Sequence, residues 1–181
     1  MDARTHSPKL KDIIVKGVTS AGANIVDLGL APTPIGYYSE FAHLSDIIGE
    51  NNEISGAMIV TASHNPSQYN GLKMTFNKQS MNEAQFQEIK KLAIEQSNQS
   101  LLSHTFGKSV EFDIIPEYIS ELFLQFKNIG QGIKVVVDSA NGTGGIVGPD
   151  LFRRLGCNVI ELYSNPDGRF PQDRKSTRLN S

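Results

Sequence analysis

The residue types best suited to chemistry sit together in Thr61-Ala62-Ser63-His64-Asn65-Pro66, with Lys73 ten residues beyond the serine. A serine hydroxyl is a weak nucleophile, so group transfer at Ser63 requires a base, a metal or prior phosphorylation. His64 could orient a group or exchange a proton. Neighbouring residues in an extended segment point opposite ways, however, so adjacency alone makes no Ser-His pair. Lys73, across a turn, could return a cation to the same place. The residues by themselves leave two readings open: a catalytic serine, or an Asx-type turn that only closes a strand.

The elements around this loop would position it. Gly56-Ala57-Met58-Ile59-Val60-Thr61 is a nearly continuous apolar run and predicts a strand buried on both faces. Its carboxyl end delivers Ser63 to the place where α/β sheets bind ligands. Gly71 to Phe76 reads as a further strand. Upstream, Ser7-Pro8 reads as N-cap and first helical residue, with Leu10, Ile13, Ile14, Val18 and Ala21 on one face and Gly22 as the stop. Ala23 to Leu28 is strand-like, and Pro32-Thr33-Pro34 starts a helix expected to reach about Leu44. Asn51-Asn52 marks a loop. Asn82 and Gln85 have capping-box spacing ahead of a helix with Phe86, Ile89 and Ala93 on one face, ended by the polar 96–100 stretch.

Downstream, the pattern predicts a helix from about Pro116 to Phe126 and a buried strand from Ile133 to Asp138. A tight turn from Ser139 to Gly145 then feeds a helix to about Leu155, and Asn158 to Leu162 is a strand. The alternation predicts an α/β protein with a mixed, largely parallel sheet and flanking helices. A restart near Val110 divides it into a partial first domain over 1–109 and the start of a similar second domain over 110–172. Residues 173–181 have no periodicity and read as a non-native, adaptor-derived tail.

With 181 residues, 39% apolar and 20% charged, the chain has enough material for a packed core, and its net charge of −2 has both signs scattered. There is no basic stripe for nucleic acid and no lysine-rich face for a membrane. No apolar run is long enough to span a bilayer and the N-terminus is not arranged as a secretory signal, so a cytoplasmic location is expected. The single cysteine, Cys157, can form no internal disulfide and reads as a small buried hydrophobe. Ser139 to Gly145 lacks the Lys-Ser/Thr ending of a phosphate loop and reads as structural. Tyr37, Tyr38 and Phe41 read as helix packing.

The loop carries a specific resemblance. Thr61-Ala62-Ser63-His64-Asn65-Pro66 followed by Tyr69-Asn70-Gly71-Leu72-Lys73 resembles the active-serine loop of the α-D-phosphohexomutases, in their phosphomannomutase/phosphoglucomutase branch. Asp2-Ala3-Arg4, Pro32-Thr33-Pro34, Val137-Asp138-Ser139-Ala140-Asn141-Gly142-Thr143-Gly144-Gly145 and Asn165-Pro166-Asp167-Gly168-Arg169-Phe170-Pro171 match in the same order. The resemblance implies that Ser63 is a phosphoserine that gives its phosphoryl to one hydroxyl of a hexose phosphate. The resulting 1,6-bisphosphate of glucose or mannose reorients and returns the other phosphoryl, so that phosphate moves between C6 and C1. It further implies Lys73 as a cation or proton shuttle, His64 against the substrate, Arg4 and Asn65 as phosphate or substrate contacts, and Mg²⁺ on the Ser63 phosphate.

The family's Asp-Gly-Asp-Gly-Asp-Arg metal loop and its sugar-reading segment do not occur in this sequence. The resemblance therefore implies a fragment, without mutase turnover by itself. Two other readings compete with an enzyme-derived site: a non-catalytic phosphosugar-binding module, and a serine-dependent phosphatase. The sequence does not choose between glucose and mannose and leaves the oligomeric state open.

Overall fold

The computed structural model describes residues 1–49, 53–95 and 105–171 of the chain. The Asn51-Asn52 loop, the 96–100 helix stop, and the 173–181 tail lie outside the described residues. None of the described helices is long and apolar enough to cross a membrane.

Pro8 sits in the first turn of α1 (Ser7–Ser20), but His6 rather than Ser7 is the N-cap, and it makes no side-chain cap bond. The Ser7 hydroxyl is drawn elsewhere: it donates to Asp2 Oδ1 at 2.6 Å. β1 (Ile25–Asp27) follows, then α2 (Thr33–Tyr38), which stops well short of Leu44. The chain is diverted there because Ser39 Oγ donates to the Gly36 carbonyl at 2.7 Å and the buried Glu40 carboxylate accepts the Lys78 N–H at 3.1 Å. A short 3-10 turn covers Leu44–Ile48. Phe41, expected to pack, is 63% exposed with the Lys78 ammonium 5.5 Å from its ring centre.

β2 (Met58–Val60) and β3 (Leu72–Phe76) are antiparallel, with Ile59 opposite Lys73, and β3 continues to β4 (Gln79–Ser80). The connection between β2 and β3 is too short for the crossover that parallel pairing requires. Ile59 and Val60 are buried, but Met58 is exposed, so the expected burial of both faces holds for only part of this strand. α3 (Glu83–Glu95) has its reciprocal cap: Asn82 N–H donates to Gln85 Oε1 at 2.8 Å and Gln85 N–H to Asn82 Oδ1 at 3.0 Å.

β5 (Ser109–Glu111) pairs in parallel with β1, Val26 opposite Val110, so this strand straddles the 109/110 division and is bonded to the first unit. α4 (Ile115–Phe126) leads to β6 (Lys134–Asp138), a 3-10 turn (Thr143–Ile146), α5 (Gly148–Arg154) and β7 (Asn158–Leu162), which runs parallel to β6. β6 was expected to be buried on both faces. Its outward Val136 is 57% exposed, opposite Ile160 at 48%, because among the described residues nothing packs on that face of the two-stranded sheet. Cys157 is partly buried and unpaired.

The pairing is thus mixed, parallel in β1-β5 and β6-β7 and antiparallel in β2-β3-β4. Both units share one core: Ala31, Ile35 and Leu44 pack with Ile114, Ile119 and Val147. Tyr38 and Tyr118 meet edge to face at 5.0 Å beside it.

Candidate active-serine loop

β2 ends at Val60, and Thr61 and Ala62 remain buried while Ser63, His64, Asn65 and Pro66 emerge into solvent. Thr61 N–H still donates to the Gly71 carbonyl at 2.9 Å, and a turn closes with Asn65 N–H on the Ala62 carbonyl at 3.1 Å. Ser63 has φ +54°, a left-handed conformation that costs a residue with a Cβ about 1–2 kcal/mol. Hydrogen bonds hold it there. Its N–H donates to Thr61 Oγ1 at 3.0 Å, and its carbonyl accepts from Arg4 Nη2 at 3.3 Å.

Arg4 organises the loop from beneath. Its side chain is 3% exposed, and Nη2 also donates to the Asn65 carbonyl at 2.6 Å while Nη1 is paired with Asp2 Oδ2. The Phe170 ring lies over the guanidinium, 5.4 Å from Cζ to the ring centre. Gly168 allows this approach, since a Cβ there would stand 2.2 Å from the Ala3 carbonyl oxygen. The guanidinium is directed to the loop's own carbonyls and to Asp2, with Nε buried and without a partner.

Asp2 is the second organiser. It accepts from Ser7 Oγ, from the Arg4 N–H at 3.1 Å and from Thr61, while Asn70 Nδ2 donates to Ser7 Oγ at 2.8 Å. Burial works to raise the Asp2 pKa, but the hydrogen bonds from Ser7, Thr61 and Arg4, with the Arg4 charge, hold it below the ordinary carboxylate value. Both sides of the serine loop are thereby tied to the residues preceding α1. Sequence reasoning missed Asp2, Asn70 and Phe170 as supports of the loop and read Ser7 only as an N-cap; Asp2, Asn70 and Phe170 lie within the motif segments, but their contacts cross up to about 166 residues and leave no local pattern.

Of the residues singled out from sequence, Ser63, His64 and Asn65 share the exposed turn and Arg4 lies under it. Lys73 is half-buried on β3 opposite Ile59, and cross-strand partners share a face; Ile59 and Thr61, two residues apart, share it too. Lys73 therefore belongs to the sheet face of Thr61, whose hydroxyl accepts from Ser63. Neither the His64 nor the Lys73 side chain makes a hydrogen bond or ion pair with another described residue.

This is an α/β protein with a serine presented beyond the carboxyl end of a buried strand. The descriptions "Phosphoglucomutase/phosphomannomutase, alpha/beta/alpha domain I" and "domain II" match residues 1–100 and 116–179 respectively. The chain belongs to the phosphoglucomutase/phosphomannomutase family. It is 35% identical over 170 residues to the phosphomannomutase/phosphoglucomutase of Pseudomonas putida, an alignment covering 94% of this chain and 34% of that protein. The "Probable phosphoglucosamine mutase" of Methanobrevibacter smithii is 39% identical over 176 residues, covering 94% and 36%. A solved family protein from Burkholderia thailandensis superposes with TM-score 0.84 at 31% identity, covering 94% of this chain and 36% of its own. The chain thus spans about a third of the length of these relatives, and relatives with different sugar names each match 94% of it.

The family resemblance implies magnesium. Among the described residues no group of three or more His, Cys, Asp or Glu converges on one point, and Ser63 alone does not supply the octahedral oxygen shell that Mg²⁺ demands. The described donors do not fit the ion.

Proposed function

We propose that this chain carries the phosphoserine loop of a hexose-phosphate mutase, with Ser63 as the residue that holds the travelling phosphoryl group. In the first half-reaction the bond between Ser63 Oγ and phosphorus breaks, a bond from phosphorus to a sugar hydroxyl oxygen forms, and the hydroxyl proton passes to a base. In the second, Ser63 Oγ takes the phosphoryl from the other end of the 1,6-bisphosphate, leaving phosphate moved between C6 and C1 of glucose or mannose. Loose phosphoryl transfer asks the protein mainly for positioning and charge.

The observation that carries this reading is the exposed Ser63 hydroxyl on a turn held in a strained conformation by partly buried hydrogen bonds. His64 and Lys73 are the groups assigned to proton exchange and to the phosphoryl charge, and Asn65 to substrate contact. Arg4 is a positioning residue, since its contacts are to the loop backbone. The division into domains at 109/110 belongs to the same proposal, as does a cytoplasmic location.

The 181-residue chain alone is assigned no turnover, because the carboxylates that would hold the ion are not gathered among its described residues. The test is an assay of the purified chain with glucose 1-phosphate or mannose 1-phosphate, the corresponding 1,6-bisphosphate and magnesium. No 6-phosphate is expected; sustained conversion would overturn the inactive-fragment assignment. Sustained release of inorganic phosphate would replace the mutase reading with that of a phosphatase.

A further inference from the structure

The sequence holds two Asn-Gly steps, Asn70-Gly71 and Asn141-Gly142. Asparagine is thermolabile, and its amide is lost when the following backbone nitrogen attacks Cγ; a glycine in that place carries no Cβ to hinder the approach. The two steps are held differently. Gly71 N–H donates to Asn70 Oδ1 at 2.8 Å, so the nitrogen lies alongside the carbonyl whose carbon it would attack. Gly71 is exposed, ahead of the first residue of β3, and its carbonyl accepts from Thr61. Gly142 N–H instead donates to the Ser139 carbonyl at 2.7 Å, Asn141 Nδ2 donates to the Asn165 carbonyl at 3.0 Å, and Asn141 Oδ1 is buried. Separate neighbours thus lock the nitrogen and the amide of the second step.

Asn70 is also the outer end of a directed chain of hydrogen bonds. Its Nδ2 donates to Ser7 Oγ at 2.8 Å, and Ser7 Oγ donates to Asp2 Oδ1 at 2.6 Å. An ionised carboxylate only accepts, so the single Ser7 proton is committed to Asp2, and the Ser7 oxygen needs a donor on its other side. Ser7 is fully buried, and Asn70 is the side chain that supplies that donor. The chain ties the start of β3 to the start of α1, beside the Thr61–Gly71 bond that closes the serine loop.

We propose that Asn70 is a slow, irreversible modification site whose deamidation unties the serine loop from α1. A bond forms between Gly71 N and Asn70 Cγ while the Cγ–Nδ2 bond breaks. The Gly71 N–H proton passes to solvent, and the side-chain nitrogen takes a proton from solvent and leaves as ammonia. Water then opens either C–N bond of the cyclic imide. Opening at Cγ gives aspartate at position 70; opening at the backbone carbonyl carbon gives isoaspartate and a longer main chain. Both products carry a carboxylate that accepts and does not donate. Two carboxylates then flank one Ser7 proton, so one link of the chain is lost and the like charges repel.

The test is peptide mass mapping of the full 181-residue chain after weeks at mildly alkaline pH, folded and in guanidinium chloride. In the folded chain, conversion at Asn70 is expected to run about tenfold or more faster than at Asn141, because a locked step reacts only through local opening. In denaturant the two are expected to convert alike. Asn70→Asp, prepared directly, is expected to speed hydrogen exchange of the Thr61 amide by about tenfold, with the β6 and β7 amides unchanged. An intact Asn70 in the folded chain, or Asn141 converting there at the same rate, would overturn the modification site. Unchanged Thr61 exchange in Asn70→Asp, or a uniform rise throughout the chain, would overturn the untying of the loop.

Discussion

Arg4 Nη2 lies 2.6 Å from the Asn65 carbonyl oxygen, so a side chain from ahead of the first helix fixes the far side of the turn that carries the exposed serine. The same nitrogen reaches the Ser63 carbonyl at 3.3 Å, and Asp2 holds the other side of the guanidinium. Three segments distant in sequence, around residues 2–7, 61–70 and 168–170, meet at this one group.

Removing the guanidinium leaves the partly buried Asp2 carboxylate and two loop carbonyls without their partner. Arg4→Ala is expected to lower unfolding stability by about 3 kcal/mol, measured by urea denaturation. Arg4→Lys keeps the charge but not the planar fork; it should recover part of the stability while phosphoryl transfer to Ser63 stays well below that of the parent chain.

Asp2 gives the fold an acid limit. Its pKa is lower folded than unfolded, so the stability it contributes is complete above the ordinary carboxylate pKa and is lost as the pH falls through the lower, folded value. Asp27 adds in the same sense: burial works to raise its pKa, but Lys11 and the Gly29 N–H hold it below the ordinary value. Thermal midpoints measured from about pH 5 to pH 2 should fall steeply, and Asp2→Asn should start lower and fall less.

The left-handed backbone at Ser63 predicts a ranking that side-chain chemistry alone does not. Ser63→Gly relieves the Cβ strain, whereas Ser63→Ala keeps it, so the glycine variant should be the more stable of the two by about 1 kcal/mol in denaturant unfolding. An equal or reversed ranking would contradict the geometry of the turn.

Gly168 is the point at which the 165–171 segment passes the residues ahead of α1. A Cβ would come within 2.2 Å of the Ala3 carbonyl oxygen and 2.6 Å of the Thr5 nitrogen, both backbone atoms that cannot rotate away. Gly168→Val should cost about 1–3 kcal/mol and lift Phe170 off Arg4, detectable as faster hydrogen exchange at Asn65.

The order of elements was legible wherever local chemistry dictates it. The Asn82 and Gln85 cap, the apolar run ending at Thr61 and the β6-turn-α5-β7 succession are all local patterns. What failed was decided by distant partners. Ser7 looks like an N-cap until Asp2 claims its hydroxyl, α2 looks longer until Glu40 reaches Lys78, and β6 looks doubly buried although its run of three valines has cover on one face only. The serine loop itself was readable, but its support was not. Arg4 contacts residues about 60 positions away, and no local spacing encodes that.

The proposed function stands or falls on whether Ser63 accepts a phosphoryl group. The most direct measurement is peptide mass mapping of the 181-residue chain after prolonged incubation with glucose 1,6-bisphosphate and magnesium, with Ser63→Ala alongside. One added phosphoryl group is expected on the peptide containing Ser63, and none in the alanine variant. An unmodified Ser63, or the same gain in the Ser63→Ala chain, would contradict it.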